Sequence, residues 1–256
     1  MKLILFCSER HVIPQIIQFT LEQNIEIIGC VLEGERNNTV AKMCEDNKIT
    51  MYSQAQLCEL IATNKMPEYD FGISYLYNRK IKKAVIDSAK QGIINFHPAP
   101  VQEHKGIATC CYSLLNNYKE WAVTSHFVTE EFDEGDIIME RYFSLDGIET
   151  AIQMERYTQK ESVELFKDII KLIVSGKEIP RKKQELDKGT YFGKKDLEEV
   201  KKVSITDSAQ QIDKKIRSLW FPPYHGAYIE IDGKKYSLVD EITLKEIAAL
   251  YEQNEK

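Results

Sequence analysis

A short apolar stretch with two polar residues near its end indicates the fold of this chain. It is residues 92–100, Gly92-Ile93-Ile94-Asn95-Phe96-His97-Pro98-Ala99-Pro100. Its first five residues are rich in β-branched and aromatic side chains, which predicts a short buried strand. The two prolines that follow cannot donate to a sheet, so the strand ends near His97. Because side chains two apart on a strand point the same way, Asn95 and His97 should face one pocket.

Strands and helices alternate on both sides of this stretch. Before it, apolar patterns predict strands at 2–7, 25–32 and 71–77 and helices at 11–23, 39–47, 54–63 and 80–90. After it, they predict a helix at 107–116, strands at 121–129 and 136–143 and a long helix at 151–175. This alternation indicates an α/β fold with a Rossmann-like, mostly parallel sheet covered on both faces. Such sheets place their sites beyond the carboxyl ends of the strands, where Asn95 and His97 stand.

The pattern changes beyond residue 178. Residues 179–202 are polar and interrupted by proline and glycine, which is typical of a surface linker. A helix is predicted at 207–219, and Asp232-Gly233 between two alternating stretches indicates a β-hairpin. We therefore expect an N-terminal domain at 1–178, a linker at 179–202 and a small β-rich C-terminal domain at 203–256.

Composition narrows the functional classes. The 256 residues are 43% hydrophobic, enough for a packed core, and carry a formal net charge of −6. Proteins that bind nucleic acid usually present a basic face, so no nucleic-acid partner is expected. The N-terminal apolar run is too short for a signal peptide or a membrane span, so we expect a cytoplasmic protein with no membrane partner. The six cysteines match no zinc spacing, and no metal is expected.

Three residues are candidates for catalysis. The amide of Asn95 can stabilise an oxyanion, and His97 can exchange a proton near neutral pH. Asp133 opens Asp133-Glu134-Gly135, a turn that follows the strand predicted at 121–129. A carboxylate at this turn is suited to orient His97 or to hold it charged. Taken singly, each residue is more typical of a strand end or a turn than of an active site.

The combination of motifs is more specific. Four motifs in this order resemble those of the folate-dependent formyltransferases. They are Asn95-Phe96-His97-Pro98-Ala99-Pro100, Lys105-Gly106, a strand with Thr124 and His126, and Asp133-Glu134-Gly135. That family includes glycinamide ribonucleotide formyltransferase, methionyl-tRNA formyltransferase and the nucleotide-sugar N-formyltransferases. Residues 189–192 and 216–228, which include Pro222-Pro223, are similar to the C-terminal segment shared by the tRNA and sugar branches.

The resemblance implies the co-substrate and the reaction. The formyl group would come from 10-formyltetrahydrofolate, and its attack by an amine would create a tetrahedral oxyanion. Asn95 and a protonated His97 would hydrogen-bond this oxyanion, and His97 or Asp133 would take the proton of the amine. The route of the proton between His97 and Asp133 stays open at this stage. His126 is expected in the core or in support of the site.

The resemblance also implies binding residues. In the family the pterin is bound largely by backbone groups after the third strand and near the aspartate loop. Expected folate contacts are Tyr75, Leu76, Tyr77, Arg79, Ile81 and Phe132. Expected acceptor contacts are Arg10, Lys105, Trp220, Phe221 and Tyr224. The aromatic members are suited to stack on a nucleotide base, with core packing as the alternative, and Arg79 is equally compatible with a surface role.

The identity of the acceptor amine divides the family. The acidic charge and short tail argue against tRNA, because phosphate contacts dominate nucleic-acid affinity. Residues 221–228 are similar to enzymes that formylate dTDP-linked amino-dideoxy sugars for lipopolysaccharide O-antigen. We expect dTDP-4-amino-4,6-dideoxyglucose as acceptor and a homodimer as the assembly. A methionyl-tRNA formyltransferase and a nonenzymatic nucleotide-binding module remain alternatives, and neither the nucleotide nor the amino position is settled.

Overall fold

The computed structural model describes residues 1–34, 39–221 and 224–254. The elements follow in chain order as β1 (Lys2–Ser8), α1 (Ile13–Glu22), β2 (Glu26–Glu33), α2 (Thr39–Asp46), α3 (Gln54–Ala62), β3 (Phe71–Tyr75), α4 (Lys83–Ser88), β4 (Ile93–His97), β5 (His104–Gly106), α5 (Thr109–Leu115), β6 (Glu120–Phe127), β7 (Ile137–Ser144), α6 (Ala151–Val174), β8 (Thr190–Phe192), α7 (Lys194–Lys201), α8 (Ala209–Leu219), β9 (Tyr228–Ile231), β10 (Lys234–Ser237) and α9 (Glu241–Asn254).

A six-stranded sheet in the order β2-β1-β3-β4-β6-β7 forms the centre of the fold. The pairs β1–β2, β1–β3 and β3–β4 are parallel, whereas β4 and β6 are antiparallel. The predicted α/β architecture with a mostly parallel sheet is therefore confirmed. The four parallel strands end at one edge of the sheet, and β4 ends there with His97.

The parallel strands are buried on both faces, as continuous apolar runs predict. In β1 every residue after Lys2 is buried. One group of packed side chains includes Ile4, Phe6, Val31, Leu57, Tyr69, Ile81, Val85, Ala89 and Ile93. This packing anchors the start of β4 through Ile93, and Phe96 near its end packs against Tyr75 and Phe166 with centroid distances of 5.4 Å each.

Contacts divide the chain into two compact units. One comprises Met1–Glu103, Ala122–Arg141 and Gln159–Gly189. The other comprises His104–Trp121, Tyr142–Thr158 and Thr190–Lys256. The units alternate along the sequence, and the contiguous domain boundaries expected above remain a prediction. The stretch at 179–202, predicted as a linker, contains β8 and α7.

The second unit contains two small sheets. β5 and β8 pair in parallel, and the rings of Tyr112 and Phe192 stack with centroids 3.9 Å apart. β9 and β10 form the antiparallel hairpin predicted around Asp232-Gly233. Ile216 of α8 packs with Val203 and Ala227. The expected small antiparallel sheet in the C-terminal part is thereby confirmed.

Within the described ranges, none of the helices combines the length and apolar character that crossing a membrane requires.

Candidate active site

The centre of the candidate site is the pairing of β4 with β6. Asn95 lies opposite His126 in the antiparallel register, and His97 lies opposite Thr124. His97 and His126 are buried, and Asn95 is half-buried. The Nδ2 atom of Asn95 is 3.1 Å from Nε2 of His126. The predicted common orientation of Asn95 and His97 follows from their two-residue spacing on β4.

The hydrogen bonds of His126 determine how the Asn95 amide is oriented. Nδ1 of His126 lies 2.9 Å from the carbonyl oxygen of Phe127, and a carbonyl only accepts, so Nδ1 carries a proton. In the neutral ring Nε2 is then the acceptor, and Asn95 donates one N–H to it. The amide has a second N–H, which is the type of donor that an oxyanion requires. We assign His126 the role of holding this amide in one orientation.

Asp133 approaches the two histidines from the turn between β6 and β7. Its Oδ1 atom is 3.6 Å from Nδ1 of His97 and 3.6 Å from Nε2 of His126. The side chain of Asp133 is only 11% exposed. The carboxylate is therefore positioned to stabilise positive charge on His97, and this orientation turns the Nε2 edge of the His97 ring away from Asp133.

The backbone of the aspartate turn is unusual. Asp133 has a φ of 58°, in the left-handed region that aspartate tolerates better than most residues. At Gly135 an added Cβ would overlap the carbonyl oxygen of Phe127, so a side chain there requires the backbone to move. The Asp-x-Gly spacing thus has a physical reason: aspartate adopts the left-handed conformation, and glycine permits the close approach of β6.

Gln184 also contacts this turn, a contact that no sequence pattern predicted. Its Nε2 atom lies 2.9 Å from the carbonyl oxygen of Asp133 and 2.7 Å from that of Gly135. The residue belongs to the stretch predicted as a surface linker. A single glutamine in a polar segment carries no local signal, because the contact joins residues about fifty positions apart.

The residues predicted to bind folate divide into core and surface positions. The Tyr75 ring packs between Phe96 and Phe166, with centroid distances of 5.4 and 6.0 Å. Leu76 has a φ of 54°, and the Tyr77 hydroxyl accepts a hydrogen bond of 2.8 Å from Gln54. Since the rings at 75 and 77 pack within the protein, any folate contact there would come mainly from the backbone.

The other predicted folate residues lie beyond β3 and before the aspartate. Arg79 is largely exposed, and its Nε donates to Glu33 over 3.1 Å. Ile81 is buried in the core, whereas the Phe132 ring is 44% exposed. Glu33 also accepts from the backbone N–H of Asn78 at 3.0 Å, so one carboxylate orders the start of this loop. The binding roles of these residues remain predictions.

The predicted acceptor residues lie in both units. Arg10 is exposed in the first unit. In the second unit, Lys105 is buried on β5 opposite Tyr191 of β8. The rings of Phe221 and Tyr224 stack with centroids 6.5 Å apart.

The neighbourhood of Trp220 is close-packed as well. A Cβ at Gly226 would lie 3.0 Å from the Cα of Trp220, so the two backbones approach closely. Pro222-Pro223, part of the motif that carried the resemblance, lies outside the described residues. The acceptor-binding roles of this segment remain predictions.

Within residues 1–34, 39–221 and 224–254, no group of three or more histidine, cysteine, aspartate or glutamate side chains is arranged to hold a metal ion.

Comparison with sequence families and curated proteins gives consistent matches. The family model described as formyl transferase matches residues 23–170. GDP-perosamine N-formyltransferase of Brucella melitensis biotype 1 is 27% identical over 227 residues, covering 82% of this chain and 84% of that protein. Methionyl-tRNA formyltransferase of Pediococcus pentosaceus is 24% identical over 264 residues, covering 95% of this chain and 80% of that protein.

Solved structures share the fold. A 4-N formyltransferase from Francisella tularensis superimposes with a TM-score of 0.77 at 21% identity, covering 94% of this chain and 97% of that one. An N-formyltransferase from Helicobacter canadensis, solved with folinic acid and dTDP-3-aminofucose, gives a TM-score of 0.71 at 20% identity. That superposition covers 92% of this chain and 86% of the other.

Proposed function

Because this chain belongs to the formyl transferase family, we propose that it transfers a formyl group from 10-formyltetrahydrofolate to the amino group of a nucleotide-linked amino-dideoxy sugar. The family and the enzyme class predicted from the motifs are confirmed by that membership. The observation that carries the proposal is the Asp133 carboxylate, which lies 3.6 Å from Nδ1 of His97 and 3.6 Å from Nε2 of His126, the same Nε2 that the Asn95 amide contacts.

The geometry supports a direct acyl transfer. Attack of the amine on the formyl carbonyl places negative charge on the carbonyl oxygen, which the Asn95 amide and the Nε2 edge of His97 are suited to stabilise. The amine becomes more acidic as it forms the new C–N bond. Its proton passes to Asp133 when His97 is protonated and donates to the oxyanion, or to Nε2 of His97 when that ring is neutral and Asn95 holds the oxyanion. As the C–N bond to the folate nitrogen breaks, the same pair returns a proton to that nitrogen. Atoms and charge therefore balance within the three groups.

The acceptor is inferred from charge and from the relatives. Transfer RNA is bound mainly through phosphates, and this chain carries a net charge of −6. GDP-perosamine N-formyltransferase is among the relatives, and an N-formyltransferase crystallised with dTDP-3-aminofucose is among the structural neighbours. We propose an amino-dideoxy sugar, with dTDP-4-amino-4,6-dideoxyglucose as the first acceptor to test. A cytoplasmic homodimer that serves lipopolysaccharide O-antigen synthesis is the setting we propose for this activity.

An acceptor panel tests the proposal. Purified protein and 10-formyltetrahydrofolate are incubated with 3-amino and 4-amino dideoxy sugars linked to dTDP, UDP or GDP, and with methionyl-tRNA. Mass spectrometry should detect the addition of one formyl group to a nucleotide sugar. The absence of that mass shift across all the sugars would overturn the sugar assignment. Formylation of methionyl-tRNA alone would select the alternative supported by the curated tRNA relatives.

A nonenzymatic nucleotide-binding module is the remaining alternative. It predicts binding of nucleotide sugar without turnover and without dependence on folate. Isothermal titration calorimetry with 10-formyltetrahydrofolate and with dTDP separates the two cases, because an enzyme of the proposed class binds both. The buried arrangement of Asn95, His97 and Asp133 favours the enzyme, since a binding module has no need of a preorganised acid–base pair.

A further inference from the structure

We propose that Gln184 is a positioning residue of the active site, which holds the turn at 133–135 so that the Asp133 carboxylate faces His97 and His126. The proposal rests on the formyl-transfer function proposed above. Gln184 does not contact the reacting groups; it acts through the backbone on either side of Glu134.

The chemistry of the contact fixes how the Gln184 amide is oriented. Both atoms that it approaches are carbonyl oxygens, which only accept, so the NH₂ end must face them. One N–H goes to each carbonyl, at 2.9 Å for Asp133 and 2.7 Å for Gly135. The Oε1 atom is buried, and it has no hydrogen-bond partner among the residues that the structure describes. The side chain therefore uses its full donor capacity on the turn.

The turn needs such a contact. The left-handed conformation of Asp133 is strained for a residue with a Cβ, and in this conformation the carboxylate lies 3.6 Å from each histidine. The carbonyls of Asp133 and Gly135 lie outside the regular strands, and Gln184 satisfies both. The close approach of Gly135 to the carbonyl of Phe127 restricts the backbone conformation of the turn. The two hydrogen bonds from the Gln184 amide restrict it further.

The backbone that carries Gln184 is itself anchored on the first unit. We call residues 181–185 the clamp segment. Lys182 forms an antiparallel bridge with Ile137 at the start of β7, with N–O distances of 2.8 and 2.9 Å. The Arg181 guanidinium lies 3.6 Å from the centre of the Phe127 ring.

The other end of the clamp segment is held by Gln102. This side chain exchanges two hydrogen bonds with the backbone of Glu185, at 2.8 and 3.0 Å. The clamp segment thus connects the loop that follows β4 and contains Gln102 with the aspartate turn at 133–135 that follows β6. A fixed backbone on both sides lets Gln184 impose one geometry on residues 133–135 rather than follow their motion.

The first test compares Gln184→Met with the wild-type enzyme on its best acceptor. Methionine keeps the length and volume of the side chain and removes both donors. We expect kcat to fall about 10- to 100-fold, the range produced by small misplacements of catalytic groups. KM for folate and acceptor should stay within about threefold, because the variant removes no group that touches either substrate.

Two further variants sharpen the result. Gln153→Met is the matched control, since it deletes a side-chain hydrogen bond to the backbone N–H of Glu149, in a different unit. It should leave kcat unchanged. Gln184→Asn covers the case in which Gln184→Met fails to fold: it keeps the amide but is one methylene shorter, so it cannot bracket the same two carbonyls and should also lose kcat.

A double mutant and an activity-independent measurement complete the test. If Gln184 acts only through Asp133, adding Gln184→Met to Asp133→Asn should cause little further loss, whereas a general structural role predicts that the losses multiply. Hydrogen exchange by mass spectrometry should be faster in peptide 129–136 of Gln184→Met and unchanged in Gln153→Met. Wild-type kcat in Gln184→Met, multiplicative losses, or unchanged exchange would each overturn the proposal. If the wild type formylates nothing, the proposed function fails, and hydrogen exchange still shows whether Gln184 holds the turn.

Discussion

Two regions of the molecule are built in opposite ways. One is the candidate catalytic cluster of the first unit, formed by Asn95, His97, His126 and Asp133. The other is the aromatic segment of the second unit, which we define as Trp220, Phe221 and Tyr224. In the cluster, His97 and His126 are buried. Oδ1 of Asp133 lies 3.6 Å from a ring nitrogen of each histidine, and Nδ2 of Asn95 lies 3.1 Å from Nε2 of His126. In the aromatic segment, Tyr224 is 58% exposed and stacks on Phe221 alone among the described ring contacts. The candidate catalytic groups are thus held by packing, whereas Tyr224, a candidate recognition group, exposes surface that a ligand can cover.

The largest effect should come from His97→Ala, which removes the proton-exchanging group from the cluster. Loss of an oxyanion donor typically costs about 10²–10³-fold, and general acid–base catalysis contributes about 10²–10⁴-fold, so we expect kcat to fall by about 10³-fold or more. The measurement is the initial rate of formyl transfer at saturating substrates. His11→Ala, at an exposed histidine, is the control and should retain wild-type activity. Comparable rates in the two variants would contradict the catalytic role of His97.

An intermediate effect is expected from Gly135→Ala, which disturbs the turn without touching a catalytic side chain. The new Cβ would overlap the carbonyl oxygen of Phe127, so the turn must shift. We expect about a 10²-fold loss of kcat and about 1–3 kcal/mol lower free energy of unfolding. Thermal denaturation and initial rates measure the two effects.

Gly147→Ala is the control for that substitution. Gly147 has a φ of 78° with open space around it, so alanine there meets backbone strain but no clash. The control should lose some stability and keep its kcat. A Gly135→Ala variant with unchanged kcat would show that the turn adapts, and the contrast between a rigid cluster and an exposed segment would weaken.

The smallest effect should come from Tyr224→Ala in the aromatic segment. If the ring stacks on the nucleotide base, KM for the sugar should rise about two- to tenfold, in line with an aromatic contact of about 0.5–1.5 kcal/mol. Both kcat and the free energy of unfolding should change little, since the side chain is mostly exposed. Tyr157→Ala, at another exposed tyrosine, is the control. An unchanged KM in Tyr224→Ala would remove this residue from the predicted acceptor site.

Local patterns predicted the central sheet and the orientation of Asn95 and His97, because strand burial and the two-residue period are properties of short stretches. The ends of elements were less predictable. The helix expected at 80–90 is observed only at Lys83–Ser88. The side chain of Gln54 bonds the carbonyl of Lys80 and the N–H of Lys82, each at 3.0 Å, and these tertiary bonds hold the preceding residues outside the helix.

The stretch at 179–202 was the least predictable part of the site. Its polar composition suggested a linker, but polar side chains can also be donors to distant backbone. The side chain of Gln184 donates to the carbonyl of Asp133, and the backbone N–H of Glu185 donates to the side chain of Gln102. Both partners lie far away in the sequence, and no periodicity predicts such contacts. Asp133, in contrast, was singled out by its place in the motif combination, and the structure gives that motif a local physical basis in the left-handed turn and the glycine behind it.

The distance between Gln184 and the turn has a consequence for how the protein is made. A ribosome has synthesised Asn95, His97 and Asp133 well before residue 184 leaves the exit tunnel. Until then the nascent chain contains these three side chains but lacks the Gln184 amide, which bonds the carbonyls of Asp133 and Gly135. A fragment ending at residue 178, the predicted domain boundary, would stop at this unfinished stage. In the role proposed for Gln184, the turn can therefore be completed only after synthesis of a residue that follows the long helix α6.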